Sequence, residues 1–395
     1  TFNKNQTLQK TIEEVKNTVS LTIDNYLEFF EHFEDDLQYY VNRKEIEEKI
    51  DEVLNDKDVE IIFVHGQSGS GKSTLLANLV KKYDFPPNYF FSKSTENRMD
   101  EVKNKLSEMK KNNFRLNIDN YEEFSKEYEE NQKNADNRVI IIDGLDESGE
   151  IPADLFSKNN YKYIVSARTN SVPHQKLNDY LNNKYKIQYI EIETESDRKS
   201  IENTEEYLIK RIKDDEKLNN KNIKEKLKNG IVEKGKGNFA FVAFCLNVLS
   251  NNEELPKKLP DNYNGLYEKV IDKLVSKLEI TNKKYFYDIV CFYSIIKIPF
   301  DINELNNIYN LKGIEKKNFD DLWGRIKWLF KEFKKPNGNK YILFHSSLKE
   351  YFYCNNMDNM IKQTYEDIFE YYIKTENNYY EIKKYLDEYM AEHLY

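Results

Sequence analysis

The sequence predicts an α/β domain with a five-stranded parallel sheet, followed by a helical domain and then a second helical domain that ends in a β-wing. Three observations predict it. An apolar run (Ile61 to Val64) leads into a glycine-rich loop and then into a helix-like run (Ser73 to Val80). Four consecutive β-branched residues, Val139 to Ile142, end in Asp143-Gly144-Leu145-Asp146-Glu147. Strand-like and helix-like segments alternate from 58 to 195, after which the strand signals stop until residue 335.

Each element has its own local cause. In residues 1–40, Ile12, Val15, Val19, Leu27, Phe30, Phe33 and Leu37 recur at helical spacing, which predicts a helical lead-in or linker. A helix follows over Glu45–Leu54. Residues 41–195 form the α/β domain, with strands at 59–64, 88–92, 138–143, 161–166 and 186–192. The charged run from Lys103 to Lys133 reads as solvated helices. Ser196 and Asp197 are a candidate N-cap for a helix carrying Ile201, Tyr207 and Leu208, opening a helical domain over 196–260. Its apolar stretch Phe239 to Leu246 has the length of a buried helix. Pro256 and Pro260 flank a joint. Residues 264–335 read as helices, with Phe286, Phe292, Tyr293, Trp323, Trp328 and Phe330 as core. Lys335-Pro336-Asn337-Gly338-Asn339 is a hairpin-type turn before an apolar strand, Tyr341 to Phe344. Several helices and then a wing give a winged-helix pattern over 261–355. Residues 356–395 are Tyr-rich and helical.

The chemistry concentrates in the α/β part. Gly66 to Ser73 fits G-x-x-x-x-G-K-[ST] at every fixed position. Gly66, Gly69 and Gly71 let the backbone of Gly66, Gln67, Ser68, Gly69, Ser70 and Gly71 wrap phosphate oxygens, because glycine tolerates positive φ and carries no Cβ. The loop feeds a helix N-terminus, opening at Ser73 and Thr74, whose N–H groups and dipole favour anions. Lys72 is placed to neutralise β- and γ-phosphates and Ser73 to ligate Mg²⁺. Asp143 falls at a strand's C-terminal end, where a carboxylate can hold Mg²⁺ through water. Asp146 and Glu147 follow, and either can orient or deprotonate an attacking water. Arg168, at the tip of the strand Tyr163 to Ser166, can reach a γ-phosphate and so separate ATP from ADP. These motifs together predict an α/β P-loop NTPase domain that binds ATP or ADP with Mg²⁺ and hydrolyses ATP.

These residues together resemble the NACHT branch of the STAND nucleotide switches, relatives of animal NOD-like receptors and of bacterial antiviral sensors. Tyr40-Val41-Asn42-Arg43-Lys44-Glu45 is similar to the segment that lies over the adenine in that family, with Asn42 in place of a glycine. The resemblance therefore implies adenine contacts for Val41 and Arg43. Asp143 to Glu147 resembles the NACHT form of the Mg²⁺-binding strand end, and Ser166-Ala167-Arg168 the sensor arginine segment. Gly237-Asn238-Phe239 occupies the place of G-x-P, with Phe239 supplying an apolar contact where proline packs on adenine. Leu259-Pro260 through Leu266-Tyr267 resembles the entry to the winged-helix region. Phe344 to Phe352 resembles the stretch whose histidine touches the ADP β-phosphate, which puts His345 there. Tyr385 to Leu394 is similar to the segment leading into sensor repeats. The resemblance implies a signalling switch in immune or antiphage defence. It would be closed with ADP, self-associate with ATP and answer a trigger sensed by a further C-terminal region. The start at Thr1 and the helical pattern at the last residues suggest a piece of a longer protein.

Composition bounds the alternatives. The 395 residues carry a net charge of −9, which makes no strong case for nucleic acid. A mean hydropathy of −0.83 and the absence of any stretch near the about 18 apolar residues of a membrane span exclude a membrane partner. Cys245, Cys291 and Cys354 are far apart and read as buried free thiols, pointing to the cytoplasm. Two other readings remain open: a DNA-binding AAA+-type ATPase of the replication-initiator kind, and a nucleotide-binding scaffold without turnover. Intact Lys72, Asp143 and Glu147 weigh against the second.

Overall fold

The computed structural model describes residues 36–83, 86–90, 138–147, 161–169, 172–192, 198–218, 228–295, 300–311, 316–335 and 338–354, with Phe33 and Phe156. The charged run 103–133, most of the lead-in, the Ser196/Asp197 cap and the segment 356–395 lie outside these residues. The chain divides into two compact units, and the division falls between Tyr207 and Leu208.

The first unit begins with α1 (Lys44–Asn55) and continues as β1 (Ile61–Gly66), α2 (Lys72–Lys82), β2 (Asn88–Phe90), β3 (Arg138–Asp143), a 3-10 turn (Leu145–Glu147), β4 (Tyr161–Arg168), α3 (Val172–Asn182) and β5 (Ile187–Ile192). All five predicted strands are present and every pairing is parallel, in the order β2-β3-β4-β1-β5. The continuous apolar runs have the expected cause, because the sheet is covered on both faces. Ile61, Phe63, Ile140, Ile142, Tyr163, Val165 and Ala167 pack on the face that meets Leu181 of α3. Ile62, Val64, Ile141, Ile164, Ile190 and Ile192 pack on the other face, against Ile50 of α1 and Leu75, Leu76, Leu79 and Val80 of α2. Side chains alternate along a strand, so Asp143, Ser166 and Arg168 share the α2 face. The sheet places the candidate site by that parity.

The division falls within α4 (Arg198–Asp214). The second unit continues with a short π turn (Lys228–Val232), α5 (Phe239–Ser250), α6 (Tyr263–Ser276), α7 (Ile280–Ile295), β6 (Phe300–Asp301), α8 (Ile302–Leu311), α9 (Lys316–Ile326), β7 (Phe330–Lys335), β8 (Gly338–Leu343) and α10 (Ser346–Cys354). Asn238 caps α5 by accepting from the Phe241 N–H at 3.0 Å, and Asn262 caps α6 by accepting from the Gly265 N–H at 2.8 Å. Helix α5 buries Phe241, Val242, Phe244, Cys245, Leu246 and Val248, as its composition requires. Strands β6, β8 and β7 form an antiparallel sheet in that order.

Two elements correct the reading of 264–335 as helical. Phe300–Asp301 and Phe330–Lys335 are strands, because each pairs with β8, Phe300 beside Tyr341 and Phe330 beside Leu343. Among the described residues, no helix is long and apolar enough to cross a membrane. Cys245 and Cys291 are buried free thiols.

Candidate nucleotide site

The glycine loop joins β1 to α2. Gly69 and Gly71 have φ of 78° and 81°, a left-handed conformation that a side chain resists. Gly71 is the N-cap of α2 and brings no side chain to the first-turn N–H groups. Gly66 differs from the expectation. It stays within β1, paired on both sides with Arg168 and Ile192, and its φ is not positive. Its reason is space: a Cβ there would meet the Ile192 carbonyl oxygen at 2.7 Å. Gly66→Ala is therefore expected to cost about 1–3 kcal/mol of overpacking strain. A thermal melt tests this; an unchanged midpoint would remove the space argument.

Lys72 opens α2 and is 8% exposed. Its ammonium donates to the carbonyls of Gly66 (2.8 Å) and Gln67 (2.9 Å), which holds the charge in the throat of the loop. Arg43, buried just before α1, donates from Nη2 to the Ser70 carbonyl. Burial pulls its guanidinium down to about 10, so it keeps its charge at neutral pH. This contact braces the phosphate loop, a job that the spacing of Tyr40 to Glu45 does not reveal. Val41 beside it is buried, and the Tyr40 hydroxyl donates to Glu47 at 2.7 Å.

Asp143 ends β3 and is 5% exposed. Burial raises its carboxyl above the usual carboxylate range, against hydrogen bonds from Ser166 and Ser73 and the charge of Lys72. Ser166 Oγ donates to the carboxylate and accepts the Gly144 N–H at 3.0 Å. The sequence offered one signal for Ser166, a polar residue inside an apolar strand. Among the described residues no group of three acidic, His or Cys side chains can cage a metal. The Ser73 hydroxyl and the Asp143 carboxylate instead form a sparse oxygen donor set, which suits Mg²⁺ held mainly by phosphates and water.

Asp146 lies in the turn after β3. Its Oδ1 accepts the Arg168 main-chain N–H at 3.0 Å, and its Oδ2 is 3.8 Å from Arg168 Nε. Glu147 closes the same turn. The first unit thus brings together Gly66 to Ser73, Asp143, Asp146, Ser166, Arg168 and Arg43.

Phe239 and His345 belong to the second unit. Phe239 begins α5 and is half-buried. His345 precedes α10, and its Nδ1 accepts the Ser347 N–H at 3.1 Å. A ring nitrogen that accepts carries no proton. Ser347 Oγ, 2.7 Å from Nδ1, therefore donates to it, and the Tyr267 hydroxyl, 2.7 Å from Ser347 Oγ, donates in turn. This bonding assigns the ring proton to Nε2. Burial holds the Tyr267 hydroxyl well above its ordinary value, in keeping with a permanent donor.

Residues 59–172, under a third of the chain, match the family model "Schlafen group 3, DNA/RNA helicase domain". No curated protein matches the chain. Among solved structures, the Walker-type ATPase PABY2304 of Pyrococcus abyssi is similar at 14% identity and a TM-score of 0.33, over 80% of this chain and 96% of that one. The ORC2 protein of Aeropyrum pernix, solved as ADPNP–ADP complexes, is similar at 14% identity and a TM-score of 0.34, over 82% and 95%. The RuvB Holliday junction branch migration motor of Thermotoga maritima is similar at 11% identity and a TM-score of 0.30, over 78% and 94%. It is the chain's own parallel sheet, glycine loop and buried acidic strand end that make the first unit the α/β core of a P-loop NTPase.

Proposed function

We propose that the chain is the nucleotide-binding core of an ATP/ADP-dependent signalling switch of the STAND type, in its NACHT branch, acting in innate immune or antiphage defence in the cytoplasm. The observation that carries this reading is the cluster on the α2 face of the sheet. Lys72, Ser73, Asp143 and Arg168 converge there, a set suited to reading β- and γ-phosphates. Ser73 and Asp143 would hold Mg²⁺, which when bound shields the phosphate charge. Lys72 neutralises the phosphates, the loop N–H groups bind their oxygens, and Glu147 or Asp146 activates water for slow ATP hydrolysis. Val41, Arg43 and Phe239 border the adenine.

In this reading residues 41–195 are the nucleotide-binding domain, 196–260 a helical domain and 261–355 a winged helix. The order α7, β6, α8, α9, β7, β8, one helix, a strand, two helices and a hairpin, supports the last of these. ADP favours a closed form and ATP an open, self-associating form that activates an effector. A nucleotide can shift that equilibrium only by its differential affinity for the two forms. Arg168 senses the γ-phosphate, and the Nε2–H of His345 donates to the β-phosphate of ADP.

His345→Ala tests the switch. A hydrogen bond to a charged group contributes about 1.5–3 kcal/mol. The variant is expected to lose roughly tenfold or more in ADP affinity, with a smaller loss for ATP. Calorimetry with both nucleotides measures this, and equal losses or none would make His345 only a capping residue of α10.

A second reading, a nucleic-acid-stimulated motor, is favoured by the helicase-domain match over 59–172. The net charge of −9 opposes it, because phosphate backbones select clustered Lys and Arg. ATP turnover with and without single-stranded DNA or RNA separates the two readings: stimulation favours the motor.

A further inference from the structure

The acidic turn after β3 brings one carboxylate against the arginine at the tip of β4. Asp146 meets Arg168 at two points. Its Oδ1 accepts the Arg168 main-chain N–H at 3.0 Å and its Oδ2 is 3.8 Å from Arg168 Nε. The Asp146 side chain is 4% exposed and that of Arg168 16%. Both oxygens of this shielded carboxylate are thereby turned to Arg168, one to its main chain and one to its guanidinium.

We propose that Asp146 is a positioning residue for Arg168, setting how strongly the nucleotide site prefers a triphosphate over a diphosphate, and that it is not the group that activates water. The proposal rests on Arg168 reading the γ-phosphate. The main-chain contact holds the tip of β4 at the residue where the strand ends. The ion pair grips the guanidinium at Nε, and because the group is planar, fixing Nε fixes the direction of the whole fork. A long arginine side chain is otherwise free to sample many rotamers, and a γ-phosphate contact would have to order it on binding.

A second latch lies two residues back on the same face of β4. Ser166 Oγ accepts the Gly144 N–H at 3.0 Å and donates to Asp143. The turn 143–147 and the tip 166–168 are therefore joined twice, once at the metal-binding carboxylate and once at the arginine. Asp146 ties the group that reads the third phosphate to the strand end that holds the cation.

The test is calorimetric binding of ADP and of the non-hydrolysable analogue AMP-PNP, each with Mg²⁺, to the wild-type chain, Arg168→Ala, Asp146→Ala, Asp146→Asn and the double variant Asp146→Ala with Arg168→Ala. Arg168→Ala is expected to lower the AMP-PNP preference over ADP roughly tenfold, the worth of one charge-assisted contact. Asp146→Ala should lower it in the same direction with ADP affinity nearly unchanged. The double variant should lose no more than Arg168→Ala alone, since both act through one contact. Asp146→Asn keeps an oxygen for the main-chain N–H but points an amide at Nε, so it should also lower the preference. If Asp146→Ala does not fold, Asp146→Asn decides. An unchanged preference in the Asp146 variants beside a lowered one in Arg168→Ala overturns the proposal and leaves the arginine's role standing. An unchanged preference in Arg168→Ala overturns both. Asp146→Asn that keeps both affinities but loses turnover would return Asp146 to water activation.

Discussion

Lys72→Ala is expected to weaken both ATP and ADP binding at least tenfold, a loss of about 1.4 kcal/mol or more. Lys72 is 8% exposed, and its ammonium rests on the Gly66 and Gln67 carbonyls at 2.8 and 2.9 Å. It sits where β- and γ-phosphates would enter the loop. Alanine removes the one positive side chain within the loop motif and leaves the incoming phosphate charge to N–H dipoles alone. Both nucleotides carry a β-phosphate, so both should suffer. Lys72→Arg is expected to bind poorly as well, because a planar fork does not fit the space of a compact ammonium. Calorimetry measures the affinities and a melt without nucleotide controls for folding. Unchanged affinity in a folded Lys72→Ala would contradict the site.

Glu147→Gln is expected to retain ATP while slowing turnover by about 10²-fold or more, the usual worth of a positioned general base. The carboxylate is removed from the water without changing the phosphate loop or Asp143. Phosphate release measured beside nucleotide retention separates the two effects. The double variant Asp146→Asn with Glu147→Gln leaves no carboxylate in the turn. If it still turns over at the parent rate, the proposed hydrolysis mechanism is wrong.

The nucleotide core was legible because its causes are local. A phosphate loop needs glycines and a lysine at fixed spacing, and a strand buried on both faces needs an unbroken apolar run, as in Ile61 to Val64 and Val139 to Ile142. What stayed hidden depends on partners distant in sequence. Strand β7 reads Phe-Lys-Glu-Phe-Lys-Lys, and four charges in six residues look like a solvated helix. Its pairing with β8 makes it a strand. Gly66 is glycine because of Ile192 on a neighbouring strand. Arg43 braces Ser70, 27 residues away. The neighbour of Asp146 was hidden too: Arg168 lies 22 residues further along the chain, and only the pairing of the strands brings it there.

The proposed switch requires that the bound nucleotide set the state of the molecule. Its most direct test is the mass of the chain in solution, by light scattering, with Mg²⁺ and either ADP or AMP-PNP at saturation. A single low mass is expected with ADP and a shift to oligomers with AMP-PNP, the shift being lost in Arg168→Ala. The same mass with both nucleotides, beside equal affinity for them, would contradict a nucleotide switch.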